Sequence, residues 1–229
     1  MTALPRIFIA LLLLVILAPA RAAGLDAISS EESSGALRQA LSQGASAAVA
    51  SLGRGDGFLG NPKVKIPLPE NLRKGEKLMR KLGMGKYADE LIVTMNRAAE
   101  AAVPESKELL LNAVKQMTLQ DAKAILTGGD DSVTQYFKRT TSAPLTEKFL
   151  PIVRQATQKV ALAEKYNTFA KQGAKLGLID KKDASLEGYV TEKALDGLFL
   201  MIGEEERAIR KNPLGQASSL LQKVFGALK

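Results

Sequence analysis

The sequence predicts an all-α fold, and three observations predict it. Apolar residues recur at three- and four-residue spacing along most of the chain, as one face of a helix requires. Alternating runs of the kind that make half-buried strands are scarce. Capping and stop residues stand where the helical patterns begin and end. The expected architecture is a single multi-helix domain of about seven to nine helices, with a proline-rich extended arm near its N-terminus.

The elements follow in order. Leu37, Leu41, Ala45, Ala48 and Leu52 mark a helix over about 34–52, and Gly44 and Ala48 keep its stripe narrow enough for close packing. A glycine-rich break at 53–57 follows, then Asn61-Pro62-Lys63-Val64-Lys65-Ile66-Pro67-Leu68-Pro69, which three prolines hold extended. Period-two spacing puts Val64, Ile66 and Leu68 on one side of this arm and Lys63, Lys65 and Pro67 on the other. Pro69 suits the first position of a helix running to a stop at Gly83.

Tyr87, Leu91, Met95, Ala98 and Ala102 mark the next helix, and Pro104 can open another carrying Leu110, Ala113, Val114 and Met117. Thr118-Leu119-Gln120-Asp121 reads as a capping box with Asp in place of Glu, starting a short helix that ends at Gly128-Gly129. Asp130, Asp131 and Ser132 read as the cap of a helix with Val133, Tyr136 and Phe137. A separate long stripe runs from Leu145 through Phe149, Ile152, Ala156, Val160 and Ala163 to Tyr166, with a kink expected at Pro151. Gly173 to Asp183 is the longest expected loop, Leu186 to Lys211 is helical, and Pro213 opens a final helix.

The N-terminus is a secretory leader by pattern. Arg6 precedes an unbroken apolar run of twelve, Ile7 to Ala18, and Ala20-Arg21-Ala22 fits a small-residue cleavage site. That run is short of the ~20 apolar residues a spanning helix needs, so no transmembrane span is expected in the mature form. Residues 1–22 are therefore assigned to the signal peptide and 23–229 to the helical domain, working in the periplasm or outside the cell. The absence of Cys excludes disulfides and thiol nucleophiles; the absence of His excludes imidazole bases and His-based zinc sites. No cofactor is indicated. Trp is absent and aromatics are 5%, which disfavours base-stacking or carbohydrate platforms.

Several stretches resemble a bacterial family of exported proteins known as a domain of unknown function, number forty-one ninety-seven. They are Gly57-Phe58 with Asn61–Pro69, Met95-Asn96-Arg97-Ala98-Ala99-Glu100, Met117-Thr118 with Asp121-Ala122, and Thr134-x-Tyr136-Phe137. Tyr189-Val190-Thr191, Ala194 to Phe199, Glu204-Glu205-Glu206 with Ile209-Arg210, and Asn212-Pro213 continue it over nearly the whole mature chain. The resemblance implies a helical exported protein and carries no activity, ligand or catalytic residue.

Two constellations bear on function. Asn96, Arg97 and Glu100 fall within about one helical turn on an alanine-rich helix, so they can line an interhelix pocket in which Arg97 orients an anionic or amide-bearing ligand. The simpler reading is a satisfied network between helices. The second is charge. The chain carries +8, and +6 remains once Arg6 and Arg21 leave with the leader. Lys63, Lys65, Arg73, Lys74, Lys77, Arg80, Lys81 and Lys86 face only Glu70 and Glu76 in their segment, so the whole +6 excess sits there. Such a segment offers a surface to anionic lipid headgroups, cell-wall polymers or an acidic protein, whereas nucleic acid is disfavoured by export and the lack of interleaved aromatics.

Glu204-Glu205-Glu206 with Arg207 and Arg210 reads as a solvated helix face holding a Glu206–Arg210 ion pair. A carboxylate-dependent envelope hydrolase needs a raised-pKa acid in an aromatic-lined cleft, and Glu105-Ser106 lacks the downstream segment such enzymes carry. The sequence thus points to a non-catalytic binding or structural module of the cell envelope. Its alternatives are that hydrolase and a small-ligand-binding protein built around Asn96, Arg97 and Glu100.

Overall fold

The computed structural model describes residues 30–83, 85–160, 163–168, 171 and 185–212. They form α1 (Ser30–Leu52), α2 (Glu70–Lys81), α3 (Gly85–Ala102), a 3-10 turn (Val103–Glu105), α4 (Ser106–Gln116), α5 (Leu119–Thr127), α6 (Ser132–Thr157) and α7 (Leu186–Lys211), with helical turns also over 163–168. The fold is all-α, with no strand among the described residues. The leader, the expected loop over Gly173 to Asp183 and the helix expected from Pro213 lie outside the described residues.

α6 is the centre. It packs against α3, α4, α5 and α7, while α1 closes the other side of α7 and also touches α4 and α5. Its buried positions Val133, Tyr136, Phe137, Thr141, Leu145, Phe149 and Val153 follow the helical repeat, which is why it can sit against several neighbours at once. With Leu37 and Leu52 of α1, Leu91 and Met95 of α3 and Val190 and Leu198 of α7 they form one contiguous core. α2 packs on α3.

α6 departs from the sequence pattern. Two helices were expected over this stretch, with a kink at Pro151; one helix runs from Ser132 to Thr157 through both Pro144 and Pro151. Each proline deletes one backbone bond and releases the carbonyl four residues earlier. Pro151 and Glu147 both lie on the exposed side of the helix, while the buried positions on either side of Pro151, Phe149 and Val153, hold it in the core. The helix stops at Thr157, whose hydroxyl donates to the Val153 carbonyl at 3.0 Å. The chain then turns, and Val160, Ala163 and Tyr166 enter the core separately.

Between α1 and α2 the chain forms a strap across α3 and α7. Its first part turns: the Asn61 carbonyl accepts from Val64 and Lys65 N–H, and its side chain accepts from Lys63 N–H at 3.1 Å. From Lys65 to Pro69 the backbone has no regular structure, with Val64, Ile66 and Leu68 buried and Lys63, Lys65 and Pro67 exposed. Phe58 lies fully buried against Gly197 of α7, where an added Cβ would come within 2.7 Å of its ring and 3.2 Å of the Val64 Cβ. Only glycine lets the strap approach that closely. Tyr189 donates its hydroxyl to the Pro67 carbonyl at 3.0 Å, a further tie to α7.

Helix ends follow local chemistry with two differences. Pro69 stands just before α2, its carbonyl accepting from Leu72 and Arg73 N–H, and Gly83 with φ +74 ends that hairpin arm. Pro104 lies in the 3-10 turn rather than opening α4 directly.

Candidate functional site

Asn96, Arg97 and Glu100 lie on the C-terminal half of α3, and all three hold the strap. The stripe of Leu91, Met95, Ala98, Ala99 and Ala102 turns this face of α3 inward, and Asn96 and Glu100 are carried in with it. Asn96 is fully buried. Its Oδ1 accepts from the Ile66 N–H at 2.8 Å, and its Nδ2 donates to the Ile66 carbonyl at 2.9 Å and the Ile92 carbonyl at 2.8 Å. One amide thus pairs with both backbone groups of a single strap residue, as a neighbouring strand would, and satisfies groups that burial would otherwise leave costly.

Glu100 works the same way one turn on. Its Oε1 accepts from Phe58 and Leu59 N–H at 3.0 and 3.1 Å, and its Oε2 accepts from Arg97 at 2.6 Å. Arg97 reaches outward to Asp56 at 2.8 Å, and its side chain stays 44% exposed. Hydrogen bonds from Arg97 to Glu100 and then Asp56 hold its guanidinium more firmly in the charged form. The polar atoms of the trio point at protein partners.

The basic segment is laid along α3 by these contacts. Phe58 and Leu59 meet Glu100, Ile66 meets Asn96, and Arg80 of α2 meets Asp89, so the chain runs antiparallel to α3 along its length. Its charges divide. Lys63 pairs with Glu204 of α7 at 2.7 Å, and Arg80 bridges Glu76 at 2.8 Å and Asp89 at 2.5 Å. The hydrogen bond from Arg80 holds Asp89 below the usual carboxylate range, and Asp89 and Glu76 in turn push the Arg80 guanidinium up. Lys65, Arg73 and Lys81 are exposed and carry no acidic partner among the described residues. Lys74 and Lys77 share α2, but their side chains lie outside the described ones.

Sequence reasoning placed Glu206 on a solvated face; the structure corrects this. Glu206 is 5% exposed. It accepts from the Val133 and Thr134 N–H groups at 3.1 and 3.3 Å, so a side chain from α7 caps the start of α6. Asp131, expected in that role, makes no side-chain cap there. Arg210, the partner predicted four residues on, does pair with Glu206 at 3.0 Å and also donates to the Ile125 carbonyl and the Ser132 hydroxyl at 2.9 and 2.8 Å. The signal was present: Leu195, Phe199 and Ile202 step onto position 206 at three- and four-residue spacing. A second missed network joins Glu187 to Asn167 at 3.0 Å and to the Thr157 hydroxyl at 3.3 Å.

Two open clefts stand elsewhere. One of about 580 Å³ lies between α6 and α7, lined by Lys138, Ser142, Leu150, Thr191, Leu195 and Phe199 among others. Another, of about 390 Å³, lies between α4 and α6 beside Asn112 and Tyr136. Neither is lined by Asn96, Arg97, Glu100 or the basic segment. Among the described residues no cluster of acids could hold a metal ion, and no helix is long and apolar enough to cross a membrane.

The family model of a protein of unknown function, DUF4197, matches residues 27–226. The chain belongs to the DUF4197 family. The match runs from just before α1 to beyond α7, so the strap, the hairpin and the buried Glu100 and Glu206 of this DUF4197 member fall inside it. No curated protein and no solved structure matches the chain.

Proposed function

We propose that this protein is an exported, non-catalytic binding module that associates with an anionic component of the cell envelope through the basic strip along α3. One observation carries the reading: Lys65, Arg73 and Lys81 are exposed without acidic partners among the described residues, in the segment that holds +6 of the chain's +8. A strip of unneutralised cations raises the local concentration of anionic partners and weakens with salt. Lys63 and Arg80 contribute less, because each already faces acids. The commitment of Asn96, Arg97 and Glu100 to the strap supports the non-catalytic side of this reading.

Reversing Lys65, Arg73 and Lys81 to Glu tests it against a control of equal charge, Lys107, Lys115 and Lys123 reversed on α4 and α5. The first variant loses about tenfold or more in association with anionic vesicles or envelope fractions at low salt, a difference of ~1.4 kcal/mol or more. The control keeps its association. Equal losses in both would mean that net charge, rather than the strip, is responsible. Export is tested separately by the mass of the secreted form, which begins near Ala23.

A second reading, a small-ligand-binding protein, is favoured by the α6–α7 cleft, whose size lies in the range of ligand sites. The buried Thr191 hydroxyl among its lining residues has no hydrogen-bond partner. On this reading the ligand occupies the α6–α7 cleft, which Asn96, Arg97 and Glu100 do not line.

A further inference from the structure

Exposed large apolar side chains are few among the described residues, and two of them stand at one turn. Leu82, 65% exposed, is the most exposed of them, and Tyr87, 42% exposed, lies five residues on. Leu82 follows the last residue of α2, Gly83 turns the chain at φ +74, and Tyr87 sits in the first turn of α3. Both residues therefore stand at the turn that joins α2 to α3, and both are exposed there.

The surrounding charges are arranged around that tip. Glu76, Arg80 and Asp89 are engaged with one another just behind it, so α2 is pinned to α3 and these charges are mutually offset. Lys81 and Lys86 flank the two apolar residues and are exposed, with no acid partner among the described residues. Lys86 lies over the Tyr87 ring at 5.3 Å from its centroid. Glu90, exposed one turn further along α3, is the nearest acid outside the Arg80 network by sequence.

An apolar residue at an apex, an amphipathic ring beside it and two lysines at the flanks match the chemistry of a lipid interface. Leucine gains by leaving water, tyrosine prefers the level of the headgroups, and lysine stems reach anionic phosphates. We infer that the hairpin tip enters the headgroup region of an anionic lipid bilayer, Leu82 and Tyr87 inserting while Lys81 and Lys86 bind lipid phosphates. This rests on the basic-strip reading and narrows its partner to a lipid surface. The attachment is peripheral, since it uses a single turn rather than a spanning helix.

The protein contains no tryptophan, so Leu82→Trp supplies a lone reporter at the tip. Leu119→Trp, at the exposed start of α5, is the matched control. With vesicles of phosphatidylglycerol and phosphatidylcholine, the tip reporter shifts to shorter wavelength and is quenched by acyl-brominated lipid, and the control does neither. Leu82→Ser and Tyr87→Ser each lower partition onto those vesicles about tenfold, as expected from losing one apolar contact of Leu or Tyr size. Their retention on a polyphosphate-coated resin, which has no acyl phase, stays unchanged. Circular dichroism confirms that both variants keep their helix content.

A reporter that neither shifts nor is quenched, while strip reversal still abolishes vesicle binding, overturns insertion and leaves the strip reading standing. Retention on the resin without vesicle binding does the same. Failure to bind either support sinks both readings. A change in sedimentation caused by Leu82→Ser would make the tip a contact between copies of the chain and would also overturn insertion.

Discussion

Near the C-terminal ends of α3 and α7, a buried glutamate accepts hydrogen bonds from two consecutive backbone N–H groups of a distant segment, and an arginine on its own helix pairs with it. Glu100 holds Phe58 and Leu59 of the strap with Arg97 three residues before it. Glu206 holds Val133 and Thr134 at the start of α6 with Arg210 four residues after it. The surroundings differ. The Arg97 side chain is 44% exposed and its other partner is the exposed Asp56, whereas the Arg210 side chain is 15% exposed and its other partners are Ile125 and Ser132 at the joint between α5 and α6. Glu206 also sits where the α6 macrodipole favours negative charge. The same bonding pattern should therefore be worth more on α7, because water can replace Arg97 but cannot easily reach the groups around Arg210.

The largest expected effect tests that difference directly. Glu206→Ala leaves the α6 N-terminus and Arg210 uncompensated in a dry site and should lower stability by about 3–5 kcal/mol, the range for breaking a buried pair. Arg210→Ala should fall in the same range, with both read as urea midpoints. A cost below about 1 kcal/mol for either would place the network among ordinary surface pairs and erase the contrast.

Glu100→Ala should cost less, about 1.5–3 kcal/mol, the range for hydrogen bonds to a charged group. Its signature is local: amide exchange at Phe58 and Leu59 accelerates while α6 stays protected. Arg97→Ala, acting at the wet edge, should change stability by no more than about 1 kcal/mol. Finding Arg97→Ala as costly as Arg210→Ala would show that exposure does not separate the two sites.

An effect smaller than at Glu206 or Glu100 comes from a third carboxylate that caps locally. Asp121 accepts from the Thr118 N–H and hydroxyl within the α5 capping box, and Arg139 stands 3.1 Å away. The Thr118 hydroxyl first, then its backbone N–H and Arg139, hold Asp121 below the usual carboxylate range. A lowered folded value means that the stabilisation is present above the ordinary carboxylate range and is lost as pH falls through the depressed value. The melting-temperature gap between the native protein and Asp121→Asn should therefore shrink between about pH 7 and about pH 3. At neutral pH a cap of this kind is worth about 1 kcal/mol. A gap that grows on acidification would contradict the assignment.

These three carboxylates also differ in how far they can be read before folding. Thr118 and Asp121 are three residues apart, so their box is written into the spacing and appears as predicted. For Glu100 the shared face with Asn96 was legible, but its partners stand more than forty residues away at Phe58 and Leu59. Glu206 was assigned to solvent because three consecutive glutamates look like a wet helix face. Its neighbours Glu204 and Glu205 are half-buried, and only the 206 position turns fully inward. The Glu206–Arg210 pair was legible for the same reason as the capping box, being one turn apart.

By itself the sequence determined whatever depends on neighbours within about a turn of helix: the all-α class, the bounds of α3 and α7, the α5 capping box and the stop at Gly83. Spacing and backbone dihedrals are local properties, so they survive without knowledge of the rest of the chain. The tertiary structure alone decided which polar groups are buried and what they hold. It paired Asn96 with Ile66 and Glu206 with Val133, divided the basic segment into neutralised and free cations, and carried α6 through two prolines. Those outcomes depend on which element arrives opposite a given face, because a polar side chain turned inward is stable only where a distant backbone group satisfies it.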